Sequence, residues 1–153
     1  SAKGFCGSCG SAPASCQTSP HHRRATCSQP VGLRNLGNTC FLNAALQSLA
    51  HAPLFAQFFL RGRFEADLNP SNPLGTGGEV ASAFAQLLHK LVAEGPTGEK
   101  SQHAHSAFSP EAFYRTLCKH CTLVAEQPGV QQDAQEVMAF LLDAIHEDLN
   151  RNH

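Results

Sequence analysis

A chain of 153 residues supports one modest domain, and 42% hydrophobic residues is the apolar content of a folded one, which excludes disorder throughout. Eleven Lys and Arg against twelve Asp and Glu leave a formal net charge of −1 with no basic stripe, which argues against a nucleic-acid partner. The most apolar stretch, Phe41 to Leu60, is broken by Asn43, Gln47, His51, Pro53 and Gln57, so neither a membrane span nor a secretion signal is read here.

Residues 1–30 are rich in Ser, Cys, Gly, Ala and Pro without a hydrophobic period, and a flexible arm is expected. Within it Cys6, Cys9, Cys16, His21, His22 and Cys27 raise the alternative of a zinc-dependent interaction module. Their later spacings match no closed site, and apolar residues to pack around a metal are nearly absent, so no metal or other cofactor is expected. Seven cysteines, an odd number, fit a reducing compartment (cytoplasm or nucleus) better than a disulfide framework.

Order is expected from about Val31. Phe41, Ala45 and Leu49, beside Leu42, Leu46 and Ala50, predict a helix from Thr39 to Ala50 with Asn38 or Thr39 as N-cap, ending before Pro53. Pro53 to Leu60 predicts a second, short helix. Residues 62–78, with Asn69-Pro70, Asn72-Pro73 and three glycines, read as loop. Val80, Phe84, Leu87, Leu88 and Leu91 predict a helix from Glu79 to Ala93. A polar loop follows, in which His103 and His105 read as solvated rather than as a metal pair. The next helix is expected to start with Ser109 as N-cap, Pro110 in the first helical position and Phe108 stapled on Phe113. Cys118 and Cys121, at the end of that helix, read as surface or core cysteines. After a turn at Gln127-Pro128-Gly129, Asp133 to Asn150 predicts a last helix with the stripe Val137, Phe140, Leu141, Ala144, Ile145 and Leu149. Asp133 and Glu136 have the spacing of a capping box. No run alternates as a strand, so the chain is expected to be mainly α.

Cys40 stands where a glycine-containing loop, Gly32 to Thr39, turns into the first helix. Unpaired N–H groups and the positive dipole end at a helix start favour a thiolate and can stabilise an oxyanion beside it. A single cysteine in such a place reads by itself as a buried, inert residue of a core helix. The surrounding residues reverse that reading. Gly32 to Leu49 resembles the cysteine box of the ubiquitin-specific proteases. Gln131-Gln132-Asp133-Ala134-Gln135-Glu136-Val137, with Phe140 to Asp143 and His146 to Asn150 behind it, is similar to that family's Gln-Gln-Asp box.

The resemblance implies that residues 31–153 are the N-terminal, helical (thumb-like) lobe of a papain-like α+β cysteine protease. The β-rich lobe would be absent, and with it the general-base histidine and the Asp or Asn that orients it. His51, His89 and His146 are not flanked as that histidine is. The implied activity is that of a deubiquitinating thiol isopeptidase cutting after the C-terminal glycine of ubiquitin, with ubiquitin and ubiquitinated proteins as partners. Cys40 would be the nucleophile and Asn35 part of the oxyanion hole. Gln131 and Gln132 would bond the extended ubiquitin tail, and Asp133 and Glu136 would face its basic residues. The alternative within the family is an inactive fragment that binds ubiquitin weakly.

Overall fold

Apolar residues recurring at helical spacing fold, among the described residues, into six α-helices: α1 Cys40–Ala50, α2 Pro53–Leu60, α3 Glu79–Ala93, α4 Glu111–His120, α5 Thr122–Ala125 and α6 Ala134–Leu149. This computed structural model describes residues 31–93, 107–126 and 129–151. The expected arm of residues 1–30, the loop with His103 and His105, and Gln127 and Pro128 of the expected turn lie outside the described residues. Among the described residues no strand forms. A lone parallel bridge joins Leu33 to Phe108 and ties the segment before α1 to the start of α4.

α6 packs on both α1 and α3, so Val137, Leu141, Ala144 and Ile145 meet Phe41, Leu42, Leu46, Phe84 and Leu88 in one core. Phe59 of α2 is fully buried against Phe84, with ring centroids 5.1 Å apart at 80°, and against Phe64 at 5.2 Å. The edge-on Phe59–Phe84 pair adds to the stabilisation from burial alone. The expected α6 stripe is narrower than its apolar residues suggested, because Phe140 and Leu149 are only half-buried.

α4 begins one residue later than expected. The Phe108 N–H donates to the Gly32 carbonyl, and its own carbonyl accepts from Arg34 N, both at 2.8 Å, so the backbone here is held extended. Pro110 then occupies the cap position with ψ 25°, outside the helical well, and no side chain caps α4. Ser109 is therefore not an N-cap.

Residues 62–78 are more than loop. Arg63–Ala66 forms a turn of 3₁₀ helix, and the remainder is pinned to the end of α6. Asp148, fully buried, accepts from Thr76 N at 2.6 Å, Thr76 Oγ1 at 2.7 Å, and Gly78 N and Ala81 N at 3.1 Å each. Thr76 Oγ1 also accepts from Val80 N at 3.0 Å. The first-turn N–H groups of α3 are thus satisfied by a loop hydroxyl and by a carboxylate from another helix, an anion at the positive end of the dipole. Asn72, also buried, donates to the Glu147 carbonyl at 2.8 Å. A Cβ on Gly75 would meet Asp148 Oδ1 at 3.0 Å and the Glu147 carbonyl at 3.3 Å, so a side chain there would press on the end of α6.

On the outer side of α3, Glu79 Oε2 lies 3.1 Å from His120 Nε2 and 3.2 Å from Lys119 Nζ. The contact with His120, followed by that with Lys119, holds the Glu79 carboxyl below the usual carboxylate range. A folded pKa below the unfolded value of 4.5 contributes stability above that value, and the contribution disappears as pH falls through the folded pKa. Because the group is exposed, the effect is small. Glu79→Gln is expected to melt slightly below wild type at neutral pH and to converge with it well below pH 4.5. Melting curves across pH check this, and a gap independent of pH would contradict it.

Candidate active site around Cys40

The approach to α1 is built by one asparagine. Asn35 Oδ1 accepts from Gly37 N at 3.1 Å, Thr39 N at 2.9 Å and Thr39 Oγ1 at 3.1 Å. Gly37 and Asn38 follow each other with φ 105° and 52°, a left-handed reversal that swings the chain into the helix. Thr39 sits at the cap position but does not cap α1: its buried hydroxyl accepts from Leu36 N at 2.9 Å instead. Asn38 does not cap it either, since its amide reaches away to Gly129. Among the described residues the first N–H groups of α1 have no side-chain acceptor, and they lie beside an exposed Cys40 in the first helical position.

Two side chains on α1 secure the segment behind the loop. Asn43 Nδ2 donates to the carbonyl of Arg34 at 3.1 Å, and Gln47 Nε2 to that of Val31 at 2.8 Å. The Asn35 amide is therefore fixed on its carbonyl side, while its N–H₂ group has no partner among the described residues. A turn contact and an oxyanion donor are compatible roles here, because they use opposite atoms of one amide.

The second motif arrives across 91 residues of sequence. Gln131 Nε2 donates to Cys40 Sγ at 3.7 Å, and Asn38 Nδ2 to the Gly129 carbonyl at 2.8 Å. Asp133 is the N-cap of α6, its Oδ1 accepting from Gln135 N at 2.6 Å. The expected capping box does not form: the cap bond goes to Gln135 N instead of Glu136 N, and Glu136 makes no return bond, which leaves an exposed carboxylate in the first turn. Gln132, just before Asp133, is half-buried. Of the residues singled out from the sequence, Cys40, Asn35 and Gln131 come together in one place, with Asp133 and Glu136 following at the start of α6.

The described histidines lie elsewhere. His51 Nδ1 is 2.8 Å from the Gln47 carbonyl, His120 serves Glu79, and His89 and His146 are exposed. Cys121 is buried, and that burial pushes its thiol up, so it does not compete with exposed Cys40 as a nucleophile. A groove lined by Leu87, Lys90, Phe108 and Phe113 lies between α3 and α4 and touches neither Cys40 nor Gln131. Sequence reasoning missed the Asn38 link, for which no local signal exists. It also missed Asp148, which does carry one: it falls four turns into α6 on the buried stripe of Leu141, Ala144 and Ile145.

The fold and the site together define a helical lobe that presents an exposed thiol at a helix start, flanked by amide donors. A family profile described as ubiquitin carboxyl-terminal hydrolase matches residues 31–153. Ubiquitin carboxyl-terminal hydrolase 10 of Arabidopsis thaliana is 45% identical over 121 residues, 79% of this chain and 12% of the relative. Ubiquitin carboxyl-terminal hydrolase 12 of Saccharomyces cerevisiae is 43% identical over 121 residues, 79% of this chain and 9% of the relative. Ubiquitin carboxyl-terminal hydrolase 4 of Bos taurus is 41% identical over 143 residues, 92% of this chain and 13% of the relative. The chain belongs to the ubiquitin carboxyl-terminal hydrolase family and covers the N-terminal part of its catalytic domain. It spans only 9–13% of the length of these curated relatives.

Proposed function

We propose that this chain is the nucleophile-bearing half of a deubiquitinating thiol isopeptidase, acting on ubiquitin and ubiquitinated proteins. The observation that carries the reading is the Gln131–Cys40 contact, in which two motifs far apart in sequence meet on one sulfur. Cys40 Sγ attacks the carbonyl carbon of ubiquitin's terminal glycine. The carbonyl oxygen gains the negative charge, and the Asn35 N–H₂ group with the uncapped N–H groups of α1 stabilises it. Collapse of the tetrahedral species expels the lysine amine and leaves a thioester, which water then hydrolyses. Gln131 and Gln132 hydrogen-bond the extended tail, and the carboxylates of Asp133 and Glu136 attract its basic residues. Asp133 does so with the lone pairs that its cap leaves over, whereas Glu136 is unencumbered.

Proton transfer in this scheme falls to a histidine outside the described site, oriented by an Asp or Asn. The test joins residues 31–153 to the remainder of a complete catalytic domain and follows release of a reporter amine from the ubiquitin C-terminus. Release is expected from the joined protein and is expected to vanish with Cys40→Ala. Release that persists in the Cys40→Ala protein would defeat the proposal.

A further inference from the structure

The loop that carries Cys40 is tied at two points to the segment before α6. Asn38 Nδ2 meets the Gly129 carbonyl at 2.8 Å and Gln131 Nε2 meets Cys40 Sγ at 3.7 Å, each pair separated by 91 residues. The two ties place Asn38 against Gly129 and Cys40 against Gln131, in one register. Of the two ties, only that of Asn38 has the length and the atoms of a strong hydrogen bond; the N–H···S contact is long and soft.

Asn38 is also the one non-glycine residue with positive φ among the described residues, at 52°. Such a conformation persists where the surroundings hold it, and asparagine tolerates it better than most residues. Glycine would suit the backbone at least as well, but it has no amide to reach across the site. Asparagine combines the left-handed turn with a donor, and the structure uses both.

We propose that Asn38 is a positioning residue: it clamps residues 129–131 to the nucleophile loop and so keeps the Gln131 amide on the Cys40 sulfur. It acts through Gln131 and touches no substrate. The inference rests on the reading of Cys40 as nucleophile. Two substitutions separate the clamp from the turn. Asn38→Gly preserves the backbone conformation and removes the tie. Asn38→Asp preserves shape and left-handed tolerance but turns an oxygen towards the Gly129 carbonyl.

The experiment measures alkylation of Cys40 by iodoacetamide in the full chain at neutral pH, resolved by peptide mass spectrometry, with half-buried Cys118 as internal control. Asn38→Gly, Asn38→Asp and Gln131→Ala are each expected to slow Cys40 alkylation about two- to fivefold, the loss of one modest hydrogen bond to sulfur. The Asn38→Gly, Gln131→Ala double variant is expected to react no more slowly than either single one, because both remove the same contact. Cys118 is expected to react at the wild-type rate throughout. Wild-type rates at Cys40 in both Asn38 variants would overturn the clamp. So would single effects that multiply in the double variant, or a Cys118 rate that rises with them. None of these rates depends on ubiquitin, so a failure here is distinct from a failure of the proposed activity.

Discussion

Asp148→Ala is expected to destabilise the chain by about 3–5 kcal/mol, because four donors lose one buried acceptor together. The alanine leaves Thr76 N, Thr76 Oγ1, Gly78 N and Ala81 N without their acceptor in a place that Asp148 fills completely. Each stranded donor costs about 1–3 kcal/mol where water does not replace the carboxylate. The same change strips the N-terminus of α3 of its anion and frees the loop that Asn72 and Asn69 also hold against α6. Asp148→Asn keeps the volume but sets N–H against N–H on one side, so it is expected to destabilise as well, by less. Against a total of about 5–15 kcal/mol for a domain, the alanine loss is large. Urea unfolding with an unchanged slope reads it directly. A loss under about 1 kcal/mol would show that Asp148 is not the anchor described here.

The second large effect concerns the chemistry. In a complete catalytic domain, Asn35→Asp is expected to lower kcat by about 100–1,000-fold with little change in KM, the usual result of losing one oxyanion donor. Aspartate keeps the Oδ1 acceptor that gathers Gly37 N, Thr39 N and Thr39 Oγ1, so the loop survives. What it loses is the N–H₂ group, and it brings a charge that repels the developing oxyanion. Asn35→Ala removes acceptor and donor together and is expected to lower the melting temperature as well as the rate. Steady-state kinetics beside thermal melts separate the two roles. Hydrolysis by the Asp variant within about threefold of wild type would assign Asn35 to the turn alone.

Much of the fold is legible in the residues themselves. α2 and α3 have the limits their apolar spacing and punctuation suggest, and α1 and α6 differ by one residue at their ends. Pro53 stops α1, and amphipathic faces mark α3 and α6, because a period near 3.6 is a local property of sequence. The failures arise where tertiary bonds override local chemistry. Thr39 has the identity of a cap, yet its hydroxyl is taken by Leu36 N. Ser109 and Pro110 have the order of a helix start, yet Phe108 is committed to Gly32 and Arg34. Residues 62–78 look like plain loop because their anchor, Asp148, lies some 70 residues on.

The candidate site divides in the same way. Cys40 and Asn35 stand out because both belong to one continuous motif. The approach of Gln131 to the sulfur and of Asn38 to Gly129 depends on how α6 packs on α1, and no local pattern records it. Asp148 was open to detection, since a carboxylate on the buried stripe of a helix must be answered by donors from elsewhere.

The most direct test of the central claim is covalent capture. A complete catalytic domain carrying residues 31–153 is treated with ubiquitin bearing an electrophile in place of its terminal carboxylate, and the adduct is mapped by peptide mass spectrometry. The account predicts a single attachment at Cys40, lost in Cys40→Ala while Cys118 and Cys121 stay unmodified. Attachment at another residue, or undiminished capture by the Cys40→Ala protein, would contradict it.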